Sequence, residues 1–173
     1  MRIIQVCFLF FLIASCDVQK NQGEREQDLI PPPHINCPKD GNCTFAVLKN
    51  SSLNLKTDGT GKLYPEITKG DKLVIKYHYE KIVDKDIMDA GLSEYVYLEI
   101  DPSAAQVILR DKELQQVKMI YGKVCRCSDM GYYPVKEGNL YLFNRDGRMQ
   151  IRSAFKVKNI RQVISEIDEN LKY

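Results

Sequence analysis

The stretch NLYLFNRDGRMQIRSAFKV, residues 139–157, decides the fold. Met149, Ile151, Ser153, Phe155 and Val157 alternate with Arg148, Gln150, Arg152, Ala154 and Lys156. Successive side chains of a strand point to opposite faces, so this period of two marks a strand with one face buried. Asp146-Gly147 stands between this run and an alternating run before it. A two-residue type I′ turn needs positive φ at both central positions, and Asp-Gly meets that need. The segment is expected to be an antiparallel hairpin.

The same pattern extends outward. Leu73, Ile75, Tyr77 and Tyr79 share one side of a run whose other side carries Lys76, His78 and Glu80. Tyr95, Tyr97 and Glu99 alternate with Val96, Leu98 and Ile100, which suits a strand apolar on both sides, and residues 117–127 form another long candidate. Asp58-Gly59, Lys69-Gly70-Asp71 and Glu137-Gly138-Asn139 supply turns between runs. This spacing predicts about eight or nine strands, mainly antiparallel. Near the C-terminus Ile160, Val163, Ile164, Ile167 and Leu171 recur at helical spacing, with Asn159 placed as an N-cap and Gln162 completing a capping box. The expected fold class is mainly β, an antiparallel sandwich or small barrel with one C-terminal amphipathic helix over a face or open end of the sheet.

The N-terminus reads as an address. Arg2 precedes an apolar run from Ile3 to Ile13, interrupted by Gln5, and Ala14-Ser15 leads into polar sequence after Cys16. That run, about 11 residues, is short of the roughly 20 needed to span a bilayer and has the layout of a secretory signal. Ile13-Ala14-Ser15-Cys16 resembles the lipobox of bacterial lipoproteins. The resemblance implies cleavage of residues 1–15, lipidation of Cys16, and anchoring in the bacterial cell envelope on the periplasmic or surface side of a membrane. Two or more acyl chains give a stable anchor where one binds only marginally. Ordinary secretory cleavage is the alternative. Asn42-Cys43-Thr44 and Asn50-Ser51-Ser52 match a glycosylation pattern that matters only in a eukaryotic host.

Residues 16–36 are expected to be a lipidated Cys and then a tether. DVQKNQGEREQD has one aliphatic residue and cannot offset its ordering entropy, and Pro31-Pro32-Pro33 stiffens the end of the segment. Such a tether reaches roughly 25 Å. Residues 37–173 remain as a single disulfide-braced, β-rich domain. With 25 Lys and Arg against 23 Asp and Glu, the chain lacks the basic excess of a nucleic-acid binder.

Cys37, Cys43, Cys125 and Cys127 remain after the leader and the anchor take Cys7 and Cys16. In an oxidising compartment an even number reads as two disulfides. Residues i and i+2 of a strand share a face but stand apart, which favours two long bridges joining the 37–43 loop to the 125–127 strand. Each long closure would contribute about 4 to 5 kcal/mol. The competing patterns are local Cys37–Cys43 and Cys125–Cys127 pairs, a Cys₄ zinc site, and a redox-active dithiol at Cys125 and Cys127 helped by Lys123 and Arg126.

Catalytic chemistry is not nominated by any motif. His34 and His78 read as ordinary surface histidines without metal spacing, and no serine lies in a Gly-x-Ser-x-Gly elbow. Gly59-Thr60-Gly61 reads as a turn, and Asp84, Asp86 and Asp89 fail the EF-hand spacing. No metal or cofactor is expected. Arg148, Arg152 and Lys156 share the polar face of a strand and form a candidate face for an anionic glycan or lipid phosphate, with Arg145 and Lys158 nearby. Tyr132-Tyr133-Pro134 is read as core packing or edge cover, with a carbohydrate or protein contact as the alternative.

The function expected is a membrane-anchored envelope lipoprotein serving as a non-enzymatic binding or structural module. Its partners would be the membrane, through lipid, and an envelope protein or glycan, with no nucleic acid. A hydrolase whose carboxylates converge only in three dimensions, and a thiol–disulfide protein using Cys125 and Cys127, are the alternatives. Small β-rich envelope lipoproteins with paired cysteines, among them inhibitors of cell-wall lytic enzymes, are similar in architecture; no shared motif carries their function over.

Overall fold

The structure, a computed structural model, describes residues 37–84 and 90–173. The leader, Cys16, the tether with His34, and Asp86 and Asp89 lie outside the described residues. Ten strands are found among those described: β1 (Gly41–Thr57), β2 (Leu63–Lys69), β3 (Lys72–Lys81), β4 (Leu92–Ile100), β5 (Gln106–Arg110), β6 (Ile120–Cys125), β7 (Gly131–Pro134), β8 (Glu137–Arg145), β9 (Arg148–Lys156) and β10 (Glu166–Lys172). One 3₁₀ helix, Asp111–Val117, separates β5 from β6. No helix among the described residues is long and apolar enough to cross a membrane.

The strands form a six-stranded sheet in the order β2-β1-β3-β4-β6-β7 and a four-stranded sheet in the order β10-β9-β8-β5. Every pairing is antiparallel. The six-stranded sheet curls into a half-barrel, bringing β2 into contact with β7. One residue-level cause is a bulge in β1, where the register to β3 shifts between Leu48 and Ser51 and Asn50 adopts φ 51°. Before it, Phe45 and Val47 pack on the core between the sheets; beyond it, Leu53 and Leu55 pack inside the curl. An extra residue increases local twist and re-aims the side chains after it.

Two apolar clusters result. Between the sheets, Leu73, Ile75, Tyr77 and Tyr79 of β3 and Val96, Leu98 and Ile100 of β4 meet Leu140, Leu142, Met149 and Ile151. Inside the curl, Leu53, Val74, Tyr97 and Ile120 are buried, with Tyr95 and Tyr132 against them. β4 is thus apolar on both sides, as its alternation requires. His78 is not an ordinary surface histidine: it lies half-buried in the curl, stacked on Tyr95 at 4.4 Å between ring centroids. Burial, and then the charge of Lys76, pushes its pKa below the usual value.

The hairpin at 139–157 forms as its turn residues demand. Arg145 faces Arg148, and Asp146 and Gly147 take φ 52° and 70°. The C-terminal helix does not form. Residues 159–165 are irregular and β10 pairs with β9 instead. Asn159 adopts φ 64° in a turn rather than capping a helix. The Gln162 side chain does reach back, accepting the Val157 N–H at 2.6 Å and donating to the Ile164 carbonyl at 3.0 Å. Ile164 and Ile167 are buried, so the apolar stripe is real and its period is not helical. The strand expected over 117–127 is shorter: Val117 ends the 3₁₀ helix and β6 begins at Ile120.

Candidate functional site

β8 and β9 place two rows of side chains on the outer face of the four-stranded sheet. Ile108, Tyr141, Arg152 and Asp168 lie level with one another across β5, β8, β9 and β10. Gln106, Phe143, Gln150 and Asn170 form the adjoining row. Ile108 is 49% exposed and Phe143 46%, while Tyr141 is half-buried between them. Two open clefts adjoin this strip. One, of about 300 Å³, is lined by Tyr141, Phe143, Gln150 and Arg152. The other, of about 240 Å³, takes in Asn139, Arg152, Glu166 and Asp168. An apolar strip bordered by polar groups is a surface suited to a ligand or a partner.

Arg148, Arg152 and Lys156 do share this face, but acids from neighbouring strands offset their charge. Arg152 Nε lies 3.2 Å from Asp168, Lys156 is level with Glu137, and Glu166 sits one pair along from Asp168. Arg148 alone stays among cations, level with Arg145 and Lys172. Cations and acids are therefore interleaved around the aromatic strip on this face. The signal was present in LYLF at 140–143, a run apolar on both faces, of which one face has to point outward.

A second group is buried at the joint between the sheets. Glu94 of β4 is fully buried, and its carboxylate accepts the N–H of Val163 at 2.9 and 3.0 Å and of Ile164 at 2.7 Å. Lys123 of β6, level with Glu94, donates to Asp129 at 2.7 Å and to the Arg161 carbonyl at 2.8 Å. The hydrogen bond from Lys123 is the chief cause holding the Asp129 carboxyl below the usual range. Buried charges need such partners, and these fasten residues 161–164 to β4 and β6. No single-sequence pattern announces a contact across about 70 residues of chain.

The cysteines come together in two local pairs. Cys37 and Cys43 have Cα atoms 5.7 Å apart, and Cys125 and Cys127 5.3 Å. The long bridges and the Cys₄ zinc set are both overturned by strand order. β3 and β4 lie between β1 and β6, which at a spacing of about 4.8 Å per strand keeps Cys43 roughly 14 Å or more from Cys125. Short closures of this kind contribute on the order of 2 kcal/mol each, half of what the long bridges would give. The Cys37–Cys43 loop seals an end of β3: Tyr79 O–H donates to Asp40 at 3.1 Å. The sulfurs of Cys125 and Cys127 and a carboxylate oxygen of Asp129 all lie within 4.8 Å of one another. Tyr132 and Tyr133 fall on opposite faces of β7, packing inside the curl and on the main core respectively. No family model, curated protein or solved structure matches this chain.

Proposed function

We propose that this chain is a lipid-anchored bacterial envelope protein whose β domain is a non-enzymatic module binding an envelope glycan. The anchor reading is supported by the lipobox-like Ile13-Ala14-Ser15-Cys16 and by the polar, Pro-containing segment after it. The binding reading is carried by one observation: the outward-facing Ile108–Tyr141–Phe143 strip, exposed at Ile108 and Phe143, beside clefts lined by Arg152, Gln150, Asn139 and Asp168. Sugar rings present apolar faces and a rim of hydroxyls. Aromatic side chains accept the first, and paired amides, guanidinium and carboxylate accept the second.

The full chain, titrated with purified cell-wall glycan, should bind saturably. Tyr141→Ala and Phe143→Ala should each weaken binding by about tenfold, equivalent to about 1.4 kcal/mol. Cys16→Ser should release the protein from the membrane fraction without changing glycan affinity. Glycan binding that is absent, or indifferent to both aromatic substitutions, defeats the proposal.

A further inference from the structure

The turn joining β6 to β7 gathers chemistry that the glycan reading leaves unused. Cys125 ends β6, Cys127 comes two residues later, and Arg126 between them is exposed. Cys125 is a half-buried residue and Cys127 an exposed one, which makes Cys127 the natural point of entry for a reagent from solvent. The strands around them are held by their own ladders, Leu92 level with Cys125 and Gly131 level with Lys123, independently of any sulfur–sulfur bond. A closure spanning a single residue constrains the unfolded chain least of any, so structural bracing is a weak reason for it.

The charges nearby are arranged for thiol chemistry. Lys123 stands two residues before Cys125, on the same face of β6, because strand side chains repeat every second residue. Its side chain is 7% exposed and bonded to Asp129, whose carboxylate also lies within 4.8 Å of both sulfurs. An ammonium favours a thiolate and a carboxylate disfavours it, so this pair tunes the nearer sulfur in opposite directions.

We propose that Cys125 and Cys127 form a reversible thiol–disulfide exchange centre that takes two electrons from a dithiol. A thiolate of the donor attacks Sγ of Cys127, and the electron pair of the sulfur–sulfur bond leaves on Sγ of Cys125, whose residue shares a strand face with Lys123. The second thiolate of the donor then displaces Cys127 from the mixed disulfide. The donor ends as a disulfide, the protein as two thiols, and two protons pass with the two electrons. A leaving thiolate stabilised by a neighbouring cation departs faster. Lys123 and Asp129 act here as positioning residues.

The test equilibrates the full chain in dithiothreitol redox buffers, quenches with an alkylating agent and reads each cysteine peptide separately. Expected is a reversible two-electron transition at Cys125 and Cys127 while Cys37–Cys43 stays bridged and the far-UV spectrum stays β-rich. In the reduced protein, Lys123→Met should raise the pH midpoint of Cys125 alkylation by about one unit and Asp129→Asn should lower it. Opposite shifts are not what a merely structural role produces. Reduction that occurs only with unfolding, midpoints that move together or not at all, or stoichiometric zinc capture that prevents reoxidation would each overturn the proposal.

Discussion

Replacing Glu94 with Gln preserves the side-chain shape and exchanges one carboxylate oxygen for an amide NH₂. In the native fold Oε2 accepts from both backbone donors, Val163 N–H and Ile164 N–H, and Oε1 accepts from Val163 N–H as well. With the amide oxygen in the Oε2 place both donors keep an acceptor, but the NH₂ in the Oε1 place meets the Val163 N–H donor to donor. That opposition costs about 1 kcal/mol, and the two surviving bonds each lose their charge assistance, about 1 kcal/mol apiece. Relief of burying a full charge offsets part of this, leaving an expected loss of about 1–2 kcal/mol. Against a typical 5–15 kcal/mol for a domain, that is a large fraction. Urea unfolding should show a lower midpoint with an unchanged slope. Amide exchange at Val163 and Ile164 should accelerate more than exchange in β3. A loss under about 0.5 kcal/mol, the range of an ordinary surface change, would refute the anchoring role of Glu94.

Two further predictions concern β10 and its approach. Ile164→Ala and Ile167→Ala should each cost about 2–5 kcal/mol in urea unfolding, because both side chains are buried in the main core although neither is helical. Glu169 is buried on the inner face of β10, and burial, with the charge of Asp168 adding, raises its pKa. Its folded value lies above its unfolded value, so its contribution is fully present below the unfolded pKa and is lost as pH rises through the folded one. Glu169→Gln should therefore raise the melting temperature at neutral pH, and the gain should shrink as pH falls through the raised value. A gain independent of pH would point to another cause.

Local chemistry made some elements legible and left others ambiguous. Asp146-Gly147 specifies a turn whose two positive φ values few other pairs accept, so the 139–157 hairpin was readable. Ile160, Val163, Ile164, Ile167 and Leu171 fit a helical period, yet Ile167, Glu169 and Leu171 also alternate with Glu166, Asp168 and Asn170. The tie is broken elsewhere. The edge of β9 needs backbone partners, which β10 supplies from Glu166 to Lys172, and Glu94 claims the amides at 163 and 164 that a helix would use. The cysteine pairing turned on strand order, which no spacing encodes. The outer strip of Ile108, Tyr141 and Phe143 was hidden for a related reason: a strand apolar on both sides does not say which side faces the solvent. Arg148, Arg152 and Lys156 were correctly placed on one face, whereas the acids that offset them come from β8 and β10.

The order in which the backbone visits the two sheets has a consequence for how the molecule can be divided. β1 to β4 belong to the six-stranded sheet, β5 to the other, β6 and β7 to the first again, and β8 to β10 to the second. Neither layer is a contiguous piece of polypeptide. β5 finds its neighbour β8 only after two strands have been laid down elsewhere, Ile108 meeting Tyr141. A cut between β7 and β8 would leave β5 on one fragment and its four-stranded layer on the other. Such fragments should recover the fold only by reassociating. The intact chain should melt as one indivisible unit, and pairings this distant along the backbone favour slow folding.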